Sequence, residues 1–276
     1  MGNIIRITDL SDPALSPYRD LTEHQLRREG GGEGLFIAES KTVVELALAA
    51  GYIPRSVLLE ESMLRGQARE LVCHPLCRDI PIYTGERSVI GSLIGFPPSR
   101  TVMALMERKP FPTAKELLAD PAVRRVAVAE GIADSTNLGA IIRSAAALGV
   151  DAVLLTPDCC DPLLRRAARV SMGTVFQIPV GFFSAWPEEM ALLREHGFLT
   201  AALALRRDTL FIDDARLKNA PRLALLLGTE GRGLREETLD LVDATVKIPM
   251  YHGVDSLNVS AAAALAFWET RWKENG

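Results

Sequence analysis

The sequence predicts an α/β fold built on a mainly parallel sheet, with a smaller α/β domain in front of it. Two observations carry this. From residue 123 onward, short apolar runs alternate with helix-patterned segments, and strands that are apolar throughout belong to parallel sheets covered on both faces. Between residues 94 and 122 the long periodic segments give way to Pro97, Pro98, Pro110, Pro112 and Pro121. Proline fixes its own backbone and restrains its predecessor, so the join between domains is expected there. A break near residue 115 divides the chain into 1–115 and 116–276, a reasonable division for 276 residues.

In the N-terminal part, LFIAES has the composition of a strand, KTVVELALAAG has the apolar spacing of a helix stopped at Gly51, and SVLLE is a short strand. The glycines from Gly30 to Gly34 read as a surface turn. The main domain then offers the strands RVAVAEGI, DAVLLTP, VFQIPV, FLTAALAL, RLALLLG and ATVKIPM, with helical segments between them. Ligands of such sheets bind outside the carboxyl ends of the strands. The informative loops are therefore those after Ile132, Gly228 and Met250.

Composition narrows the function. Apolar residues make up 48% and charged residues 24% of the chain, as in an ordinary globular protein. The net charge is 31 − 35 = −4, and neither half is basic, so nucleic-acid binding would rest on local arginines and shape. Arg165, Arg166 and Arg169, on one helical segment, are the candidates for phosphate contacts; a solvated helix face is the equal alternative. The cysteines fall as two local pairs, Cys73 with Cys77 and Cys159 with Cys160, which suits a reducing cytoplasm better than a disulfide framework. One C-x3-C without a matching pair is a poor zinc site, so no metal is expected. The opening MGNIIRITDLSDP is no secretory signal, and no uncharged stretch reaches the roughly 18 residues of a membrane span. A soluble protein without a membrane partner is expected.

Three loops hold more polar groups than packing needs. In ADSTNLGAIIRSAAALG, residues 133–149, Asn137 can cap a helix, and Arg143 follows on its second turn. Arg143 reads either as a surface residue of an amphipathic helix or as a functional group near the strand's carboxyl end. The loop LLLGTEGRGL, residues 225–234, exposes backbone amides around Gly228, Gly231 and Gly233 and carries Glu230. Its G-x-x-G-x-G order differs from the dinucleotide fingerprint G-x-G-x-x-G, which weakens a nicotinamide-dependent oxidoreductase as the reading. In the third, residues 247–269, Ser256 is expected to begin an Ala-rich helix. Capping accounts for Ser256 but not for Asn258, a poor helix former.

Together these loops resemble the SpoU or TrmH-like branch of the SPOUT methyltransferases. The matching strings are NLGAIIRSA (137–145), LGTEGRGL (227–234) and IPMYHGVDSLNVS (248–260), with ARVSMGTVFQIPV (168–180) between the first two. Four strings in order over about 140 residues are far more specific than one Gly-rich loop. FIAESKTVVELALAAG also looks like the N-terminal substrate-binding domain of the ribosomal-RNA branch, with AES where that branch usually has E-G.

The resemblance implies a trefoil-knotted C-terminal domain, a ribosomal-protein-like N-terminal domain that binds RNA, a homodimer, and S-adenosylmethionine as methyl donor to a ribose 2′-hydroxyl of RNA, with 23S ribosomal RNA favoured over transfer RNA. It implies that Gly228, Ile248 and Leu257 line the cofactor site, and that Asn137, Arg143, Glu230, Ser256 and Asn258 occupy the polar catalytic positions. Arg143 is the family's usual base, yet a guanidinium normally keeps its proton. A charged clamp on phosphate and developing alkoxide is the other reading. A noncatalytic RNA-binding protein is the remaining alternative, and the full set of polar positions speaks against it.

Overall fold

The computed structural model describes residues 3–94, 101–206 and 208–272. Pro97 and Pro98, on which the domain join partly rested, lie outside the described residues. Contacts group the chain into two compact units, Met1–Pro110 with Leu163–Phe176, and Phe111–Pro162 with Gln177–Gly276.

The first unit is a five-stranded sheet of β1 (Asn3–Arg6), β2 (Leu35–Glu39), β3 (Pro54–Glu60), β4 (Pro81–Gly85) and β5 (Val102–Glu107), in the order β1-β4-β3-β5-β2. β1, β4 and β3 run parallel, and β5 is antiparallel to both β3 and β2. The expected helix spans Lys41–Ala49 and gives way to Gly51 at φ 75°, the left-handed conformation that costs glycine little. Its N-cap is Ser40, whose hydroxyl accepts from the Val43 N–H. Ser40 stands at φ 91°, a region strained for a side chain and open to glycine.

The segment Leu163–Phe176 was assigned by sequence to the second domain, but its packing is with the first unit. Its helix, Arg165–Val170, lies against β2. Arg165 and Arg169 both donate to the Glu39 carboxylate, the latter at 2.9 Å. Phe176 packs edge-on to Tyr52 with ring centroids 5.0 Å apart. The arginines proposed for phosphate contact are thus in part a structural ion-pair cluster: two of the three share one largely buried acid that a local reading of the helix could not foresee.

The second unit holds β6 (Arg125–Ala129), β7 (Ala152–Leu155), β8 (Val180–Phe182), β9 (Leu199–Leu203), β10 (Leu210–Phe211), β11 (Leu223–Leu227) and β12 (Ala244–Lys247). All pairings are parallel, in the order β10-β12-β9-β11-β6-β7-β8. β6 and β11 are adjacent, central and buried at every residue, as their continuous apolar sequences require. Arg125 stays buried because its guanidinium donates to the carbonyls of Thr270, Pro221 and Lys218. VFQIPV is not a strand as a whole: Thr174–Phe176 is a 3-10 turn and the strand begins at Val180.

Two helices matter for the site. The opening helix, Ser135–Ala147, is capped by Asp134, which accepts the Asn137 N–H at 2.8 Å. Asn137 is therefore not the cap, and its side chain is released for other contacts. The final helix, Val259–Thr270, packs against the opening helix, and its alanines permit that approach. Its cap is Asn258, and Ser256 lies outside it in the preceding loop. The helix expected to begin at Ser256 begins at Val259, three residues later.

Candidate active site

Because β6 and β11 are neighbours, the loops leaving their carboxyl ends meet, and the third loop joins them through the final helix. Asn258 Oδ1 accepts from the N–H groups of Ser260 and Ala261 and from the Ser260 hydroxyl, at 2.9, 3.4 and 2.6 Å. That fixes the amide orientation, since the oxygen faces the helix amides. The Asn258 amino group must then point away, and it donates to Asn137 Oδ1 at 2.9 Å and to Glu230 Oε1. Asn137 in turn donates to Glu230 Oε1 at 2.9 Å. Three side chains from three loops thus close one hydrogen-bonded cluster. Glu230 Oε2 has no hydrogen-bond partner among the described residues.

Beside this cluster is a cavity of about 400 Å³ outside the carboxyl ends of β9, β11 and β12. Leu203, Leu227 and Lys247 end those strands and line it. Gly228, Ile248, Leu257, Glu230 and Ser256, expected at the site from sequence, line it too. The glycine turn is closed by paired backbone bonds between Thr229 and Gly233, at 3.1 and 3.0 Å. Gly228 must lack a side chain, because a Cβ there would stand 2.5 Å from the Gly233 oxygen and overlap the Leu234 nitrogen.

Arg143 is not brought to this cavity. It falls on the third turn of the opening helix, not the second, and is exposed. At about 100° per residue it lies about 120° around the helix from Asn137. Its guanidinium has no partner among the described residues.

Two groups of residues were missed by sequence reasoning. Glu130, at the end of β6, is 2% exposed. It accepts from the Arg235 N–H at 2.7 Å, the Trp186 indole N–H at 2.6 Å and the Thr238 hydroxyl. A buried carboxylate needs such partners, and these fasten the end of the glycine turn to the start of the Asn137 loop. Asp158, paired with Arg235, is held below the usual carboxylate range: burial opposes this, but the Thr156 hydroxyl, its own backbone N–H and Arg235 outweigh it. The signal was an acid directly after a fully apolar strand, AVAEG. The second is Arg206, after β9, which bonds Asp240 at 2.8 Å and also Glu236, a cavity-lining residue. Burial pushes the Cys160 thiol up to about 12. No group of three or more His, Cys, Asp or Glu suited to a metal occurs among the described residues, and no described helix is long and apolar enough to cross a membrane.

The profile of the SpoU rRNA methylase family matches residues 124–268, slightly over half of the chain. This chain belongs to that family. The SpoU-family chain is 38% identical over 265 residues to an uncharacterized tRNA/rRNA methyltransferase of Mycobacterium bovis, covering 95% of this chain and 90% of the relative. Among solved structures it resembles an AdoMet-bound rRNA methyltransferase from Sinorhizobium meliloti, with TM-score 0.81, 25% identity and 97% of each chain covered. It also resembles an RNA 2′-O ribose methyltransferase, with TM-score 0.76, 26% identity and coverage of 96% and 98%. The α/β fold with its parallel sheet is that of the SPOUT methyltransferases, as the sequence led one to expect.

Proposed function

We propose that this SpoU-family protein transfers the methyl group of S-adenosylmethionine to a ribose 2′-hydroxyl of RNA, with ribosomal RNA as substrate. The observation that carries the proposal is the Asn137–Glu230–Asn258 cluster at the edge of a cavity whose walls are the strand-end loops. The AdoMet-bound and ribose-methylating relatives support the choice of donor and acceptor.

The residues present fit the donor. The cavity is of cofactor size, apolar side chains such as Leu203, Ile248 and Leu257 suit an adenosyl group, and backbone groups at Gly228 are accessible because no Cβ stands there. When bound, S-adenosylmethionine supplies an electrophilic methyl on a sulfonium. The protein's task is to hold a ribose hydroxyl in line with it and to take its proton. Asn137 and Asn258 fix the Glu230 carboxylate through Oε1, and Glu230 Oε2 would accept the proton of the ribose hydroxyl. Ser256 orients the ribose from the cavity wall.

Arg143 stays charged and clamps phosphate. Because it does not line the cavity of its own chain, we place it at the cavity of a second copy in a homodimer. The exposed Leu265 and Trp268 of the final helix and Tyr251 and Val254 of the third loop supply apolar surface for that association. Residues 1–115 serve RNA recognition and 116–276 carry the transfer, in the knotted arrangement the family resemblance implies.

The test is to incubate the protein with S-adenosylmethionine and either ribosomal or transfer RNA, and to analyse the nucleosides by mass spectrometry. A 2′-O-methylnucleoside in ribosomal RNA, absent with Asn258→Ala, is expected. Methyl on a base, or on transfer RNA alone, contradicts the proposal.

A further inference from the structure

We infer that Arg232, in the glycine turn, binds the phosphodiester next to the target ribose; the inference rests on the activity proposed above. The 2′-oxygen and the 3′-phosphate of a nucleotide sit on adjacent ribose carbons, so presenting the hydroxyl to Glu230 brings an anion beside a carboxylate. The cavity wall adds Glu236 and Asp255. Without a countercharge, such an approach is repulsive.

Arg232 supplies it. It lines the same cavity, is exposed, and its guanidinium has no hydrogen-bond or ion-pair partner among the described residues. The other arginines described in this unit, Arg143 apart, are engaged. Arg206, Arg216 and Arg235 pair with carboxylates, Arg125 and Arg222 donate to main-chain carbonyls, and Arg271 lies over a tryptophan ring. Lys247, the other cation of the cavity wall, sits 4.6 Å from the centroid of the Phe211 ring. Glu230 stands two positions from Arg232, and no ion pair joins the two among the described residues; the Glu230 contacts are those of its Oε1 with Asn137 and Asn258. A cation is thus held at the mouth of the site without being neutralised there, in the planar, forked form that suits phosphate.

Methyl incorporation into purified ribosomal RNA, measured over a salt series, tests this with Arg232→Ala and Arg232→Lys, alongside calorimetric titration with S-adenosylhomocysteine. Arg232→Ala should raise the KM for RNA about tenfold and reduce the slope of log KM against log salt by about 0.7 to 0.9, the loss of one phosphate contact. Binding of S-adenosylhomocysteine should be unchanged, and Arg232→Lys should keep the slope while losing part of the affinity. An unchanged RNA KM and slope would overturn the inference. So would weaker S-adenosylhomocysteine binding with RNA KM intact, which would assign Arg232 to the cofactor's carboxylate. If the wild type incorporates no methyl into RNA, the activity reading falls and this inference with it; an error confined to Arg232 leaves the wild type active.

Discussion

Replacing Gly228 by alanine tests how tightly the glycine turn is built. The added Cβ would lie 2.5 Å from the Gly233 oxygen and overlap the Leu234 nitrogen. These are main-chain atoms, so no side-chain rotation relieves the clash; the turn must retreat by about an ångström to restore ordinary contact. Overpacking of this kind costs about 1–3 kcal/mol, and a displacement near 1 Å at a catalytic group costs about a hundredfold in rate. The turn carries Glu230, the proposed base, so both effects are expected. Gly231 provides the control, because nothing lies within 4 Å of its Cβ position. Gly228→Ala should lower Tm by several degrees and reduce kcat/KM for RNA methylation about a hundredfold, while Gly231→Ala stays within about twofold of wild type. Equal behaviour of the two variants would refute the reasoning, since it would mean that the turn does not close on Gly228.

Three further outcomes are expected. Arg206→Ala frees Glu236 and Asp240 and should raise the Kd for S-adenosylmethionine a fewfold with kcat unchanged, checked by calorimetry and initial rates; the pairs are exposed, so the effect is modest. Mixing Arg143→Ala with Asn258→Ala protein, each inactive alone, should restore about a quarter of wild-type activity if Arg143 serves the second copy in a homodimer, whereas service within one chain restores none. The pH profile of kcat/KM separates the two candidate bases: a climb confined to strongly alkaline pH would assign the proton to a guanidinium and contradict the role proposed for Glu230.

Much of this site was legible in the sequence because it lies where short-range signals are strong. Continuous apolar strands pointed to the parallel sheet, and the carboxyl ends of that sheet pointed to the loops that hold Asn137, Glu230 and Asn258. What stayed hidden depends on partners distant in sequence. Asn137 looked like a cap until Asp134 was seen to fill that role, and Asn258 looked surplus until it proved to be the cap of the final helix. Arg165 and Arg169 looked available to phosphate because Glu39, about 130 positions away, is invisible to a helix-face argument. Glu130 drew no notice because an acid directly after an apolar strand shows no role until its three donors, distant in sequence, are in place. Val175 and Phe176 have strand-like composition, but they belong to a turn packed on the first unit, where tertiary contact overrides propensity.

Calorimetric titration of the full chain with S-adenosylmethionine, with NAD in a parallel run, addresses the core of this account most directly. One molecule of S-adenosylmethionine bound per chain, with binding weakened in Gly228→Ala and no heat from NAD, is the predicted result. Absence of binding by the wild-type protein, or binding that Gly228→Ala leaves untouched, would contradict the claim that the strand-end loops of β9, β11 and β12 form the donor site.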